Sequence, residues 1–328
     1  MNKPCAIFFL VAFLVPVSPT HAQKPPPARR QAPHIGYLGG DAKSPSHEAF
    51  RQGLKDLGYL EGQNILIEWR YTEDKSDRVT EFATELVRLD LDAIVAANAA
   101  AVSALKRATT TIPIVVESYG GDLVADGIVT SFAKPGANIT GLTALDSELS
   151  GRQMSLLKET LPKLSRLAVI WKSDDSGSPI QWQETQTAAG ILGIQLVSHK
   201  VQISGELDSA MENAMHEKSN AILVLRNPLL YVLRKKIVIL AEKKHLAGMY
   251  PSSEFADDGG LMSYGANSNA QYRRAATFVD RILKGAHPGD LPIETPTKFD
   301  FVINLKAAKQ IGLTIPQSVL YRADKVIR

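Results

Sequence analysis

The chain has 328 residues, one cysteine, seven histidines and a formal net charge of +3. That length is enough for a large core and two domains. The near-balance of charge argues against a nucleic-acid partner, and a single cysteine excludes an intramolecular disulfide.

In chain order, the first residues read as an address. Lys3 is followed by an apolar run from Ala6 to Val17, and Thr20-His21-Ala22 is a small-residue end, so a secretory leader cleaved after Ala22 is expected. The run is shorter than the ~20 residues of a comfortable membrane span. Cys5 leaves with the leader, as does Lys3, so the mature net charge is +2. No lipoprotein cysteine stands at the cleavage point, and a periplasmic location is expected. Residues 23–33, with Pro25-Pro26-Pro27 and Arg29-Arg30, read as a stiff tether.

From His34 strands and helices alternate. "HIGYLGG" reads as a buried strand, "SHEAFRQGLKDLG" as a helix stopped by Gly58, and "ILIEWRY" as a strand. "DRVTEFATELVRLD" reads as a helix capped by Asp77, "AIVAA" as a strand, "AAVSALKRATT" as a helix and "IPIVVES" as a strand. The rhythm restarts after Gly141, with helices over "SELSGRQMSLLKETLP", "PIQWQETQTAAGILG", "GELDSAMENAMHEKS" and "LLYVLRKKIVILAEKKH" between strands "RLAVIW", "IQLVSHKV", "NAILVLR" and "LAGMY". Such alternation means βαβ units and parallel sheets. A final strand–helix–strand–helix run, "GGLMSYGAN" through "FDFVINLKAAKQIGL", breaks the rhythm, so the chain is expected to cross back between two halves that can hinge.

No catalytic set emerges. The histidines are scattered without H-E-x-x-H spacing, and surface or capping roles are expected for them. No nucleophile elbow or phosphate loop is present, and Gly36-x-x-Gly39-Gly40 lacks the dinucleotide spacing. No cofactor, no metal and no enzymatic activity are expected. The polar positions gather instead where strands end. Asn98 is placed to cap the helix that starts Ala99-Ala100-Ala101, leaving backbone N–H groups open to an anion. Glu117, Tyr119 and Asp122 follow the next strand. Lys172, Asp174 and Asp175, then Arg226 and Asn227, then Glu254, occupy the corresponding places in the second half. Strand C-termini are where open α/β sheets meet ligands, so a small polar solute between lobes is expected.

The stretches "AFRQGLKDLGYLEGQNILIEWR", "KRATTTIPIV", "AKPGANITGLT", "ELSGRQMSLLKETLPKLSRLAVIW", "GGLMSYGAN" and "YRRAATFVDRILKGAHPGDLPIETPTKFDFVINLKAAKQIGLTIP" closely resemble extracytoplasmic ABC-transporter substrate-binding proteins, the family that includes the tryptophan-binding TrpX-like proteins. The resemblance covers nearly the whole mature chain. It implies a type I periplasmic-binding-protein fold: two Rossmann-like lobes with parallel sheets, a hinge of three strands, and one ligand in the cleft. It also implies a monomer that delivers solute to an ABC permease and its ATPase. Where relatives carry a Gly-Thr-Pro-like segment this chain has Ala97-Asn98-Ala99-Ala100. In their Gly-Asp-Pro the acid is matched by Asp122 and the Pro is replaced by Leu123, whereas Glu254 and Tyr264 stand at matching positions.

The expected ligand-binding set is therefore Gly39, Gly40, Asn98, Ala99, Ala100, Tyr119, Asp122, Asp175, Asn227, Glu254 and Tyr264. Ala99 and Ala100 would hold a carboxylate, Asp122 with Glu254 or Asn227 an ammonium or hydroxyl, and Tyr119 or Tyr264 would form an aromatic wall. Expected boundaries are 1–22 leader, 23–33 tether, 34–143 with about 265–290 first lobe, and 144–264 with about 291–328 second lobe. The function expected is capture of an amino-acid-like solute for import. Alternatives are a ligand sensor that presents the same fold to a membrane receptor, and a periplasmic enzyme.

Overall fold

The computed structural model describes residues 32–40, 45–73, 77–144, 146–174 and 177–328. The expected leader, most of the tether and Asp175 lie outside them.

The first lobe is built from β1 (His34–Gly39), α1 (Pro45–Asp56), β2 (Leu66–Tyr71), α2 (Arg78–Arg88), β3 (Ala93–Ala96), α3 (Ala99–Ala108), β4 (Ile114–Tyr119) and β5 (Ile139–Thr143). Its five strands are ordered β2-β1-β3-β4-β5, all parallel. Parallel strands covered on both faces need apolar side chains on both, and every residue of β3 is buried. One face packs Leu38, Ile94 and Val116 under α2 and α3. The other packs Tyr37, Phe50 and Val115 under α1 and a helix that returns from near the chain's end.

The second lobe holds α4 (Asp146–Thr160), β6 (Arg166–Trp171), α5 (Ser178–Leu192), β7 (Gln195–Lys200), α6 (Leu207–His216), β8 (Ala221–Val224), α7 (Pro228–Val232), α8 (Arg234–Lys243), β9 (Ala247–Tyr250), α9 (Ser253–Asp257) and β10 (Met262–Ala266). After it come α10 (Ser268–Leu283), β11 (Phe299–Asn304), α11 (Leu305–Gln310), α12 (Gln317–Leu320) and β12 (Lys325–Ile327). The seven-stranded sheet runs β12-β11-β10-β9-β8-β6-β7, and only the β10–β11 pair is antiparallel. Two apolar layers again cover its faces.

α10 is the returning helix. It lies against α1 of the first lobe, and Gly53 permits the approach: a Cβ there would stand 2.7 Å from Arg273 O. The chain thus passes between lobes three times: after Thr143, at Asn267 between β10 and α10, and between Glu294 and Phe299. The crossings are tied together. Thr143 N–H donates to Glu294 O (3.0 Å), Asn267 N–H to Lys298 O (3.0 Å), and the Gln271 amide to Thr143 O (3.0 Å).

Three local expectations are corrected. Asp77 has helical backbone (φ −65°, ψ −29°) and its side chain caps nothing, because a cap requires extended backbone to aim its oxygen at the first turn. The helix expected over 229–245 is two helices, interrupted at Leu233, where ψ is 0°. His199 is not a surface group. It is buried on β7 with Nε2 3.3 Å from Glu217, and burial holds its pKa below the ordinary histidine value against that carboxylate's pull.

Candidate functional site

The ends of β1, β3 and β4 form the first lobe's contribution to the cleft. Asn98 has extended backbone (φ −153°, ψ 171°) and accepts from the Ala101 N–H (2.9 Å). This is an N-cap, and the Ala99 and Ala100 N–H groups lie ahead of the first intrahelical acceptor. Gly40 approaches from β1, and a Cβ on it would lie 3.8 Å from Asn98 Nδ2. The carbonyls of Gly39 and Gly40 are already used by the N–H groups of Thr72 (3.0 Å) and Glu73 (2.7 Å). Gly39, Gly40, Asn98, Ala99 and Ala100 therefore form one continuous rim. Asn98→Ala is expected to cost about 1 kcal/mol through the lost cap. An unchanged denaturant midpoint would count against the cap.

Other expected residues stand elsewhere. The Tyr119 ring is buried in the core under the sheet, and its hydroxyl donates to Asp126 Oδ2 (2.8 Å). Asp122 turns back on its own loop, accepting from the N–H groups of Val124 (2.8 Å) and Ala125 (3.2 Å). Tyr264 stacks on Phe299 (6.2 Å between centroids) beside the hinge, and its carbonyl accepts from Gln153 (2.7 Å). None of these three belongs to the group of ionisable side chains whose charges act on one another between the lobes.

That group centres on Tyr272, in the second turn of α10. Burial holds its phenol above the ordinary range. Arg226 opposes the rise, and Glu117, Glu254 and Tyr231 reinforce it. Glu117 and Tyr272 come from the first lobe, and Arg226, Tyr231 and Glu254 from the second. In the second lobe α5 and the end of β8 are tied. Arg226 N–H donates to Gln181 Oε1 (3.1 Å), and Gln181 Nε2 donates to Arg226 O (3.3 Å). Asn227 caps α7 through the Leu229 N–H (2.8 Å), which positions Tyr231. Tyr231 is pushed up to about 12, chiefly by burial and then by Glu254. Glu254 lies in the first turn of α9, and its Oε2 is buried without a protein partner.

Glu117 is the residue that strand reading leaves underweighted. Its side chain is fully buried, Oε2 accepts from the Tyr37 hydroxyl (2.7 Å), and Oε1 has no protein partner. Burial pushes its carboxyl up to about 8 against that hydrogen bond. The signal was an acid directly after an apolar run of three residues within one strand. Arg226 was visible only as a polar strand end, and Tyr272 only as one residue of an amphipathic helix. Among the described residues no group of three His, Cys, Asp or Glu is placed to hold a metal, and no helix is long and apolar enough to cross a membrane.

Known proteins share this fold. A structure from Vibrio cholerae, described as a conserved domain protein, is 27% identical and superposes with a TM-score of 0.84, covering 90% of this chain and 100% of that one. A Streptococcus pneumonia ABC domain in complex with L-Trp is 24% identical with a TM-score of 0.82, over 90% of this chain and 100% of that one. A protein from Clostridioides difficile (strain R20291) described as "Tyrosine-binding protein" is 24% identical over 267 residues, 81% of this chain and 76% of its own. The family model for the ABC transporter substrate binding protein matches residues 35–327, from the first strand through the last, so two lobes, three crossings and a polar cleft fall within one matched unit. The chain belongs to the ABC transporter substrate-binding protein family.

Proposed function

We propose that this chain is the solute-capture component of an ABC importer and that its ligand is an α-amino acid or a similar small zwitterion. The observation that carries the reading is Glu254 Oε2, a buried carboxylate oxygen without a protein partner on the second lobe's side of the cleft. A buried unpartnered acceptor is costly, and a ligand ammonium would satisfy it. The cap of α3 opposite offers N–H groups and a helix dipole to the ligand carboxylate. The descriptions of two relatives, one tyrosine-binding and one in complex with L-Trp, point to the same ligand class.

On this reading the ligand-contacting residues are Asn98, Ala99, Ala100, Arg226, Glu254 and Tyr272, with Gly39 and Gly40 forming the rim and Asn227 placing α7. The first lobe is 34–143 with 268–294, and the second is the remainder of the described chain from Ala144 onward. The leader takes the protein to the periplasm, where a monomer hands solute to a permease and its ATPase.

The test is thermal unfolding of residues 23–328, refolded to remove carried solute, against amino acids, other carboxylates and sugars. A ligand at ~100 times its Kd should stabilise by about 2.7 kcal/mol. Glu254→Gln is expected to weaken the responding ligand by about 2 kcal/mol, roughly thirtyfold in Kd, through loss of a charge-assisted hydrogen bond. Binding retained within about twofold would remove Glu254 from the site. A response to sugars alone would remove the amino-acid reading.

A further inference from the structure

The glycine that opens α5 raises a question its backbone does not answer. Gly177 has φ −85° and ψ −23°, ordinary right-handed geometry open to any residue. It precedes a 15-residue helix, and with helical backbone the position is not one from which a side chain caps the first turn. Glycine is favoured here for another reason. A Cβ on Gly177 would stand 2.9 Å from Gly120 C and 3.3 Å from Gly121 N, and closer still to Gly120 O. Gly177 follows β6 of the second lobe, and Gly120 follows β4 of the first. Gly53, Gly141, Gly265 and Gly289 also abut backbone, but each meets its own lobe.

We propose that the backbone contact between Gly177 and Gly120 is the stop that ends lobe closure, and that the absence of a side chain at 177 sets how far the cleft can shut. The contact is reversible by construction, because both members are loop residues and the lobes are joined only through the three crossings. Closing brings the Gly120 carbonyl to the N-terminus of α5, where the helix dipole favours it. The first residue of that helix, Ser178, is fully buried and its hydroxyl has no protein partner, so this tip is covered when the loops meet. A methyl group at 177 cannot be absorbed by rotamer change, since its neighbours are backbone atoms. The lobes must stand further apart. Gly177 is thus a positioning residue: it touches no ligand in this proposal and acts on affinity through the population of the closed form. The inference rests on the two-lobe architecture and not on the amino-acid reading.

The experiment measures inter-lobe distance by pulsed electron–electron resonance. Spin labels go on Val124→Cys and Ile191→Cys, two exposed positions in different lobes, in residues 23–328, which hold no other cysteine. Three preparations are compared: the protein as purified, the protein refolded to strip solute, and the stripped protein with a mixture of the twenty amino acids. The wild-type sequence at 177 should give a short-distance population in at least one of them. Gly177→Val should reduce that population by about tenfold. Gly177→Ala should reduce it less and lengthen its distance. Gly190→Ala, in the same helix with no neighbour in reach of its Cβ, should change neither. Both 177 variants should unfold cooperatively near the parent temperature, since the contact is absent from the open form. The same short population in Gly177→Val as in the parent overturns the proposal, and so does its absence from all three parent preparations. Failure of the amino-acid reading would appear separately, as an unfolding temperature unmoved by the mixture while the short population still depends on residue 177.

Discussion

Between pH 5 and pH 9 the wild-type protein is expected to lose roughly 4 kcal/mol of stability that the Glu117→Gln variant keeps. The direction follows from proton binding. The unfolded chain releases this proton near 4.5, whereas burial in the folded protein holds the carboxyl up to about 8. Across that interval the native state binds more protons than the unfolded state, so stability falls as pH rises. The loss begins above the unfolded value, deepens by about 1.4 kcal/mol per pH unit, and levels off above the folded one. Physically, the Tyr37 hydroxyl satisfies Oε2, but Oε1 faces no donor, and a full charge there is stripped of water without compensation. Glutamine cannot ionise, so its stability curve should lack this descent and the two curves should converge toward low pH. Tyr37→Phe removes the donor to Oε2 and should deepen the loss. Urea unfolding at several pH values measures all three. Parallel curves for wild type and Glu117→Gln would mean that Glu117 is ionised at neutral pH and compensated.

Gly141→Ala is expected to cost about 4 kcal/mol or more, enough to keep the protein from accumulating in folded form. Gly141 sits within β5 at φ +133°, a conformation that L side chains rarely adopt. A Cβ there would stand 2.6 Å from Val116 N and 2.8 Å from Val116 C, and closer still to the Val116 carbonyl oxygen. The clash is with the backbone of β4, so no rotamer relieves it. β4 and β5 shift register between Val116 and Tyr119, and this irregularity brings the Thr143 hydroxyl onto Tyr119 O (3.1 Å) as the chain leaves for the second lobe. The substitution therefore strikes both the sheet and the first hinge crossing. Differential scanning calorimetry of any soluble material is the measure. A variant that unfolds within a few degrees of wild type would mean that β4 and β5 can separate without loss of the fold.

How much of this was legible follows from the range of each interaction. Strand–helix alternation, both lobes, the return of the chain and the cap at Asn98 could be read in order, because apolar periodicity and caps act between residues a few positions apart. The rim at Gly39, Gly40 and Asn98 was legible for the same reason, since parallel strands bring their C-terminal loops to one edge. Tyr119 and Asp122 looked like ligand groups by position, but packing and a local turn claim them. A side chain's direction at a strand end depends on what its neighbours leave open, and one sequence window does not contain those neighbours.

The sequence by itself determined the family, the architecture and the edge of the sheets at which polar strand ends gather. Only the tertiary structure decided which polar groups face one another. Glu117 and Tyr272 are 155 positions apart, and Glu117 and Glu254 are 137 apart, yet the charges of Glu117 and Glu254 both act on Tyr272. Gly177 shows the same limit most plainly. Its reason for being glycine lies in a backbone carbonyl of the other lobe, 57 positions away, and steric exclusion at that separation leaves no trace in local pattern.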